Sequence, residues 1–167
     1  MKSSKRSSMQ PLPKTANTLS AAIVVVAAIG FVDAAYLAAK FFSGGPIPCS
    51  LLNGCETVTT SAYATIAGVP VALLGAVFYF GMLVLAVIFR ENGNALWARI
   101  LLLGGVLGFL FSLWLVAVQV FILDALCLYC LISAGASTLL FVLGILLVRD
   151  MRKQQPLFAG EAGAERI

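Results

Sequence analysis

Residues 101–148, LLLGGVLGFLFSLWLVAVQVFILDALCLYCLISAGASTLLFVLGILLV, hold one charged residue, Asp124. A bilayer-spanning helix takes about 20 consecutive apolar residues, so this stretch is long enough for two spans that meet at Asp124. Toward the N-terminus, Arg90 to Asn94 reads as a short turn, and Glu56 to Arg90 contains no charge between its ends. Gly68-Val69-Pro70 marks a helix start there, because proline is best tolerated in the first turn. That places a second span near residues 68–89. Further back, Thr15 to Phe42 is apolar apart from Asp33 and Lys40, and Gly44, Gly45, Pro46 and Pro48 stop it. The expected fold is therefore an all-α membrane protein, a four-transmembrane-helix bundle. An external loop of about residues 43–66 between the first two spans caps one end.

Composition agrees. The chain has 167 residues, 61% of them hydrophobic and 11% charged, against about a quarter charged in a soluble domain. Its mean hydropathy is +1.02, and no separate soluble domain fits. The expected organisation is a basic tail over 1–16, a membrane domain over 17–148 and a second polar tail over 149–167. The basic start followed by an apolar run also has the layout of a signal peptide, with Ala38-Ala39 as small residues, but the run far outlasts the usual h-region of about 7 to 15 residues. Of the eleven Lys and Arg, only Lys40 falls outside if the N-terminus is inside. The positive-inside rule then puts both termini in the cytoplasm, consistent with a bacterial inner-membrane protein. Cys49, Cys55, Cys127 and Cys130 all fall on the external, oxidising side.

The chain has no histidine, which excludes a Ser-His-Asp triad, a His-ligated haem or zinc and a phosphohistidine relay. The chemistry falls to the cysteines. Cys127-Leu-Tyr-Cys130 follows Asp124, a favoured N-cap residue. A cysteine in the first helical turn meets unpaired N–H groups and the positive end of the helix dipole, which lowers its pKa. The absence of a histidine after Cys130 rules out c-type haem attachment. Cys49 and Cys55 flank Asn53-Gly54, a turn signal, and taken alone suggest a structural disulfide. Two dithiol pairs on one face can also pass electrons by thiol exchange. The acceptor then lies in the membrane, and a lipid-soluble quinone fits best. Four thiolates could instead bind zinc.

Cys49, Cys55-Glu-Thr-Val-Thr-Thr-Ser61-Ala-Tyr63, Gly68-Val69-Pro70-Val71, Gly75 and Cys127-Leu-Tyr-Cys130 together resemble the bacterial homologues of vitamin K epoxide reductase. The resemblance spans roughly residues 20–148 and includes Asp33-Ala-Ala-Tyr36-Leu37. It implies a thiol:quinone oxidoreductase that supports disulfide-bond formation. Electrons pass from a thioredoxin-fold partner to Cys49 and Cys55, then to Cys127, then from Cys130 to ubiquinone or menaquinone, with no metal. Ser61 matches the family serine beside the quinone, and Tyr63 matches an aromatic position on the capping loop. The chain lacks the second-span asparagine and the Thr-Tyr-Ala after the CxxC of the vertebrate epoxide reductases, so epoxide reduction is not implied. Only a short tail follows the last span, as in a stand-alone member without a fused thioredoxin-like domain. The expected partner is a separate periplasmic protein of the DsbA type, with no nucleic acid involved. Rival readings are a DsbB-type oxidase, whose close pair lies in the first external loop, and a non-enzymatic protein braced by two disulfides.

Four weaker signals remain. Asp33 lies toward the outer end of the first span, where a hydrogen bond to a neighbouring helix or a pairing with Lys40 is expected, with direct catalysis the alternative that an intramembrane carboxylate raises. Gln119 suits an interhelical hydrogen bond or a quinone carbonyl. Gly104, Gly108 and Ser112 form a small-residue packing stripe, as do Gly30, Ala34 and Ala38, while Phe109, Phe111, Trp114 and Phe121 face lipid, pack, or line a quinone cavity.

Overall fold

The computed structural model describes residues 13–45 and 54–164, with side chains described to residue 153. Four helices are long and apolar enough to cross a membrane. In chain order the elements are α1 (Lys14–Ser43), the short α2 (Cys55–Thr59), a 3-10 turn (Ala62–Ala64), strands β1 (Thr65–Ile66) and β2 (Val69–Pro70), then α3 (Val71–Asn92), α4 (Ala95–Phe121) and α5 (Leu128–Ala164). The protein is a four-transmembrane-helix bundle, as its hydropathy pattern requires.

Local chemistry sets the ends. α1 and α3 stop at Gly44 and Gly93, both left-handed (φ 62 and 60°), the conformation that lets a final carbonyl find a partner. Asn94 starts α4 by accepting the Leu96 N–H at 2.9 Å, which moves the helix start ahead of the apolar run at Leu101. Pro70 precedes α3 instead of occupying its first turn. It closes a two-residue hairpin in which Ile66 pairs with Val69. Ala67 and Gly68 both take positive φ, as the tightest hairpin turn demands.

Lipid offers helices no hydrophobic reason to associate, so close packing must do it. α1 packs most extensively against α3 and α5, and α4 against α5. The buried face of α1 runs Ala27, Gly30, Ala34, Leu37, Ala38, so the first small-residue stripe does face the bundle. At Gly30 an added Cβ would lie 2.5 Å from the Tyr79 ring. The missing side chain is what lets Tyr79 cross the interior. In the second stripe Gly104 and Gly108 receive Met82 and Phe78 from α3. The outward faces carry exposed Val25, Val32, Val77, Leu103 and Leu107. Successive spans alternate in direction, so the α1–α3 loop and the α4–α5 connection share one end of the bundle.

Candidate active site

At that end the α4–α5 connection presents Cys127. Its carbonyl accepts the Leu131 N–H at 3.0 Å, which makes Cys127 itself the N-cap of α5. Its Sγ accepts the Cys130 N–H at 3.5 Å, the third N–H of the helix, in the way an N-cap oxygen does. Asp124, expected as the cap, is instead an exposed residue with φ 45° in the turn before it. The cap lies three residues later because Gln119 holds the turn at two points. Its carbonyl accepts the Ala125 N–H at 3.1 Å, and its side-chain Oε1 accepts the Cys127 N–H at 2.9 Å. Gln119 is buried, and its side-chain bond goes to the backbone of Cys127.

Gln119→Leu would leave that N–H buried and unpaired, a cost of about 1–3 kcal/mol. A lower melting temperature in detergent, together with slower thiol exchange at Cys127, is the expected outcome. Unchanged melting would show that the bond does not hold the turn.

Cys127 and Cys130 carry free thiols, and Cys55 is not among the free ones. A hydrogen bond from the Cys130 thiol, helped by backbone N–H groups at the helix start and opposed by burial, brings the Cys127 thiol down to about 7. An ordinary cysteine titrates near ~8.5. The deprotonated form is the attacking species, so exchange at Cys127 is expected to level off above pH about 7 and to fall about tenfold per pH unit below it. Cys130→Ala removes the main donor and should move the midpoint upward. Stopped-flow exchange with an aromatic disulfide measures both, and a midpoint that Cys130→Ala leaves unmoved would mean that the Cys130 thiol is not what lowers it.

The loop side meets this turn directly. Cys55 opens α2 and is 1% exposed, in a buried cluster with Val58 and Cys127 that Leu123, Ala125, Tyr129 and Cys130 border. Ahead of it, a Cβ on Gly54 would lie 2.7 Å from the backbone N and O of Leu126. The loop backbone therefore rests on the segment leading into Cys127, and only glycine permits it. Cys49 lies outside the described residues.

Behind Cys130 the bundle holds a cavity of about 890 Å³, which Cys130 lines and Cys127 does not. Three residues apart, the two cysteines thus differ: Cys127 is enclosed in the loop cluster, while Cys130, at the border of that cluster, also reaches the cavity. Ser61 and Tyr63 line the cavity as well. Ser61 donates to the Val58 carbonyl at 2.7 Å, closing the end of α2, and Tyr63 is exposed at the rim. The inner wall is more polar than the hydropathy suggests. Tyr79 donates to the Ser133 carbonyl at 2.6 Å and meets the Ser133 hydroxyl at 3.0 Å, while the Ser137 and Ser112 hydroxyls lie 2.7 Å apart. Tyr79, Ser133 and Ser137 were not expected as site residues. A signal for the serines existed: residues 130, 133 and 137 recur at helical spacing on one face of α5.

Asp33 also lines the cavity, but the expected partners are absent. Its Oδ2 is buried with no hydrogen-bond partner, and the Lys40 ammonium sits over the Tyr36 ring, 5.9 Å from its centroid. Among the aromatics in the outer half of α4, Phe111 lines the cavity, Phe109 stacks on Phe141 at 5.1 Å, and Trp114 and Phe121 are exposed. Among the described residues no group of three His, Cys, Asp or Glu side chains is placed to hold a metal.

Comparison with known proteins gives one result that bears on this geometry. No curated protein matches the chain. The family model described as the vitamin K epoxide reductase family matches residues 21–145, from the first span through most of the last and so across the cysteine turn and the cavity. The chain belongs to the vitamin K epoxide reductase family, a family of membrane oxidoreductases of disulfide and quinone chemistry.

Proposed function

We propose that the protein is a quinone-dependent thiol oxidase of the bacterial inner membrane, with both termini cytoplasmic and its cysteines on the outer face. It draws electrons from a separate periplasmic thioredoxin-fold dithiol protein and so supports disulfide formation. The observation that carries this reading is the division of labour at the start of α5. Cys127 is buried against Cys55 in the loop cluster, and Cys130 opens onto the cavity.

The steps follow from thiol exchange. A reduced partner opens the Cys49–Cys55 disulfide, with either loop cysteine as the point of contact. The Cys55 thiolate attacks Cys127 in the Cys127–Cys130 disulfide, an S–S bond forms between them, and Cys130 leaves as the thiolate. Cys49 then resolves the Cys55–Cys127 bond, which regenerates the loop disulfide and leaves Cys127 and Cys130 reduced. The low pKa of Cys127 favours its release in that step. When bound, a quinone supplies the two-electron acceptor, and the residues present suit one. The cavity lies within the usual 300–1,000 Å³ range of ligand sites, apolar overall with Ser61, Tyr79 and Asp33 as polar points.

The test is anaerobic turnover of the purified protein with a reduced thioredoxin-fold partner and soluble ubiquinone and menaquinone analogues, following quinone absorbance. Rapid loss that requires Cys130 supports the reading. No loss with any partner, in protein shown to be folded, would leave two structural disulfides as the better account.

A further inference from the structure

An intramembrane carboxylate with no partner is costly whichever protonation state it adopts. Ionised, it lacks a counter-charge; neutral, it lacks an acceptor for its O–H. Asp33 Oδ2 is the one buried side-chain oxygen or nitrogen without a hydrogen-bond partner among the described residues. The other polar groups of the inner cavity are occupied with one another: Tyr79 with Ser133, and Ser137 with Ser112. Asp33 lines the same cavity as Cys130. The Asp33 carboxylate, in the wall of that space and with Oδ2 unpaired, is therefore not committed to another protein group and can exchange a proton with what occupies the space in front of Cys130.

We propose that the Asp33 carboxylate carries the proton of the Cys130 thiol to a carbonyl oxygen of the electron acceptor. This rests on the quinone reading above and adds the proton route to it. In the reaction two S–H bonds break, the Cys127–Cys130 S–S bond forms, and two electrons and two protons convert the quinone to the quinol. The Asp33 carboxylate takes the Cys130 proton as that sulfur becomes nucleophilic and releases it to the acceptor oxygen, ending ionised as it began. The Cys127 proton is lost to water, and water returns one to the second oxygen. The titratable and charged groups around Asp33 are Tyr36 and Lys40 on α1, Glu56 on α2, Tyr79 on α3, and Cys127, Tyr129 and Cys130 at the start of α5. α4 contributes the uncharged Ser112 and Gln119 to this cavity.

Two half-reactions separate the possibilities. The first is exchange from a reduced partner into the protein without quinone; the second is single-turnover reduction of a ubiquinone analogue by pre-reduced protein, from pH 5.5 to 9. For Asp33→Asn the second is expected to slow about 100-fold, the lower end of general acid–base effects, and to lose a pH break that wild type shows. The first should change by less than about twofold, since thiol exchange does not use this proton route. Asp33→Glu, which keeps the exchangeable proton, should recover much of the rate and the pH break. A wild-type rate and profile in Asp33→Asn would overturn the proposal while leaving the oxidase reading intact. Equal loss of both half-reactions would overturn it too, by making Asp33 structural. Wild-type protein that exchanges thiols but never reduces quinone would overturn the oxidase reading and this proposal together.

Discussion

Cys130→Ser protein is expected to lose quinone reduction by a factor on the order of 10⁴ or more, the scale seen when a residue central to bond-making is removed, and to retain its fold. The loss follows from position. Cys130 is the cysteine of the pair that lines the cavity, and Cys127 is fully buried on the loop side. Serine matches the thiol in size and can still donate a hydrogen bond, so the turn that Gln119 holds should survive. The same variant should also trap an intermediate. Without Cys130, Cys127 has no neighbour to close upon, and its thiolate can attack the loop disulfide at Cys55, forming Cys55–Cys127 and releasing Cys49 as a thiol. Peptide mapping under non-reducing conditions should find that bond, because the two residues share one buried cluster. Quinone reduction at the wild-type rate would remove Cys130 from the mechanism.

How much of this is legible in the sequence depends on the range of the interaction that decides each feature. The spans follow from composition over about 20 residues, and Asp124 stands out as the break between the last two because nothing else between residues 101 and 148 is charged. The contact of Cys127 with Cys130 across the first turn of α5 is equally local. The N-cap falls at Cys127 and not at Asp124 for a non-local reason. Asp124 has the right chemistry, but Gln119 and Cys127, eight residues apart, meet through a turn whose path the sequence does not display. Tyr79 and Gly30 are similar: neither stands out within its own apolar helix, and their fit exists only once α1 and α3 are packed. Asp33 is visible as a carboxylate in a span. That it faces a cavity without a partner depends on where Lys40 and the other helices place their own polar groups.

Replacement of Gly54 tests the other end of the relay, with an expected loss of about 100-fold in partner-driven turnover, the cost of misplacing a reacting atom by roughly 1 Å. The physical cause is steric. A Cβ at this position would stand 2.7 Å from both the N and the O of Leu126, and backbone in a turn fixed by Gln119 cannot swing aside as a long side chain can. Gly54→Val should therefore lift the start of α2, and Cys55 with it, away from Cys127. The α5 turn keeps its own bonds to Gln119, so chemistry beyond Cys127 should persist. Protein whose Cys127–Cys130 pair has been reduced directly by a small dithiol is expected to reduce quinone within about twofold of wild type, because that step involves no loop atom. Gly54→Ala should show the same separation at smaller amplitude. If Gly54→Val slowed the directly reduced protein as much as the partner-driven reaction, the loop would serve to shape the cavity, and electrons would have to reach Cys127 without passing through Cys55.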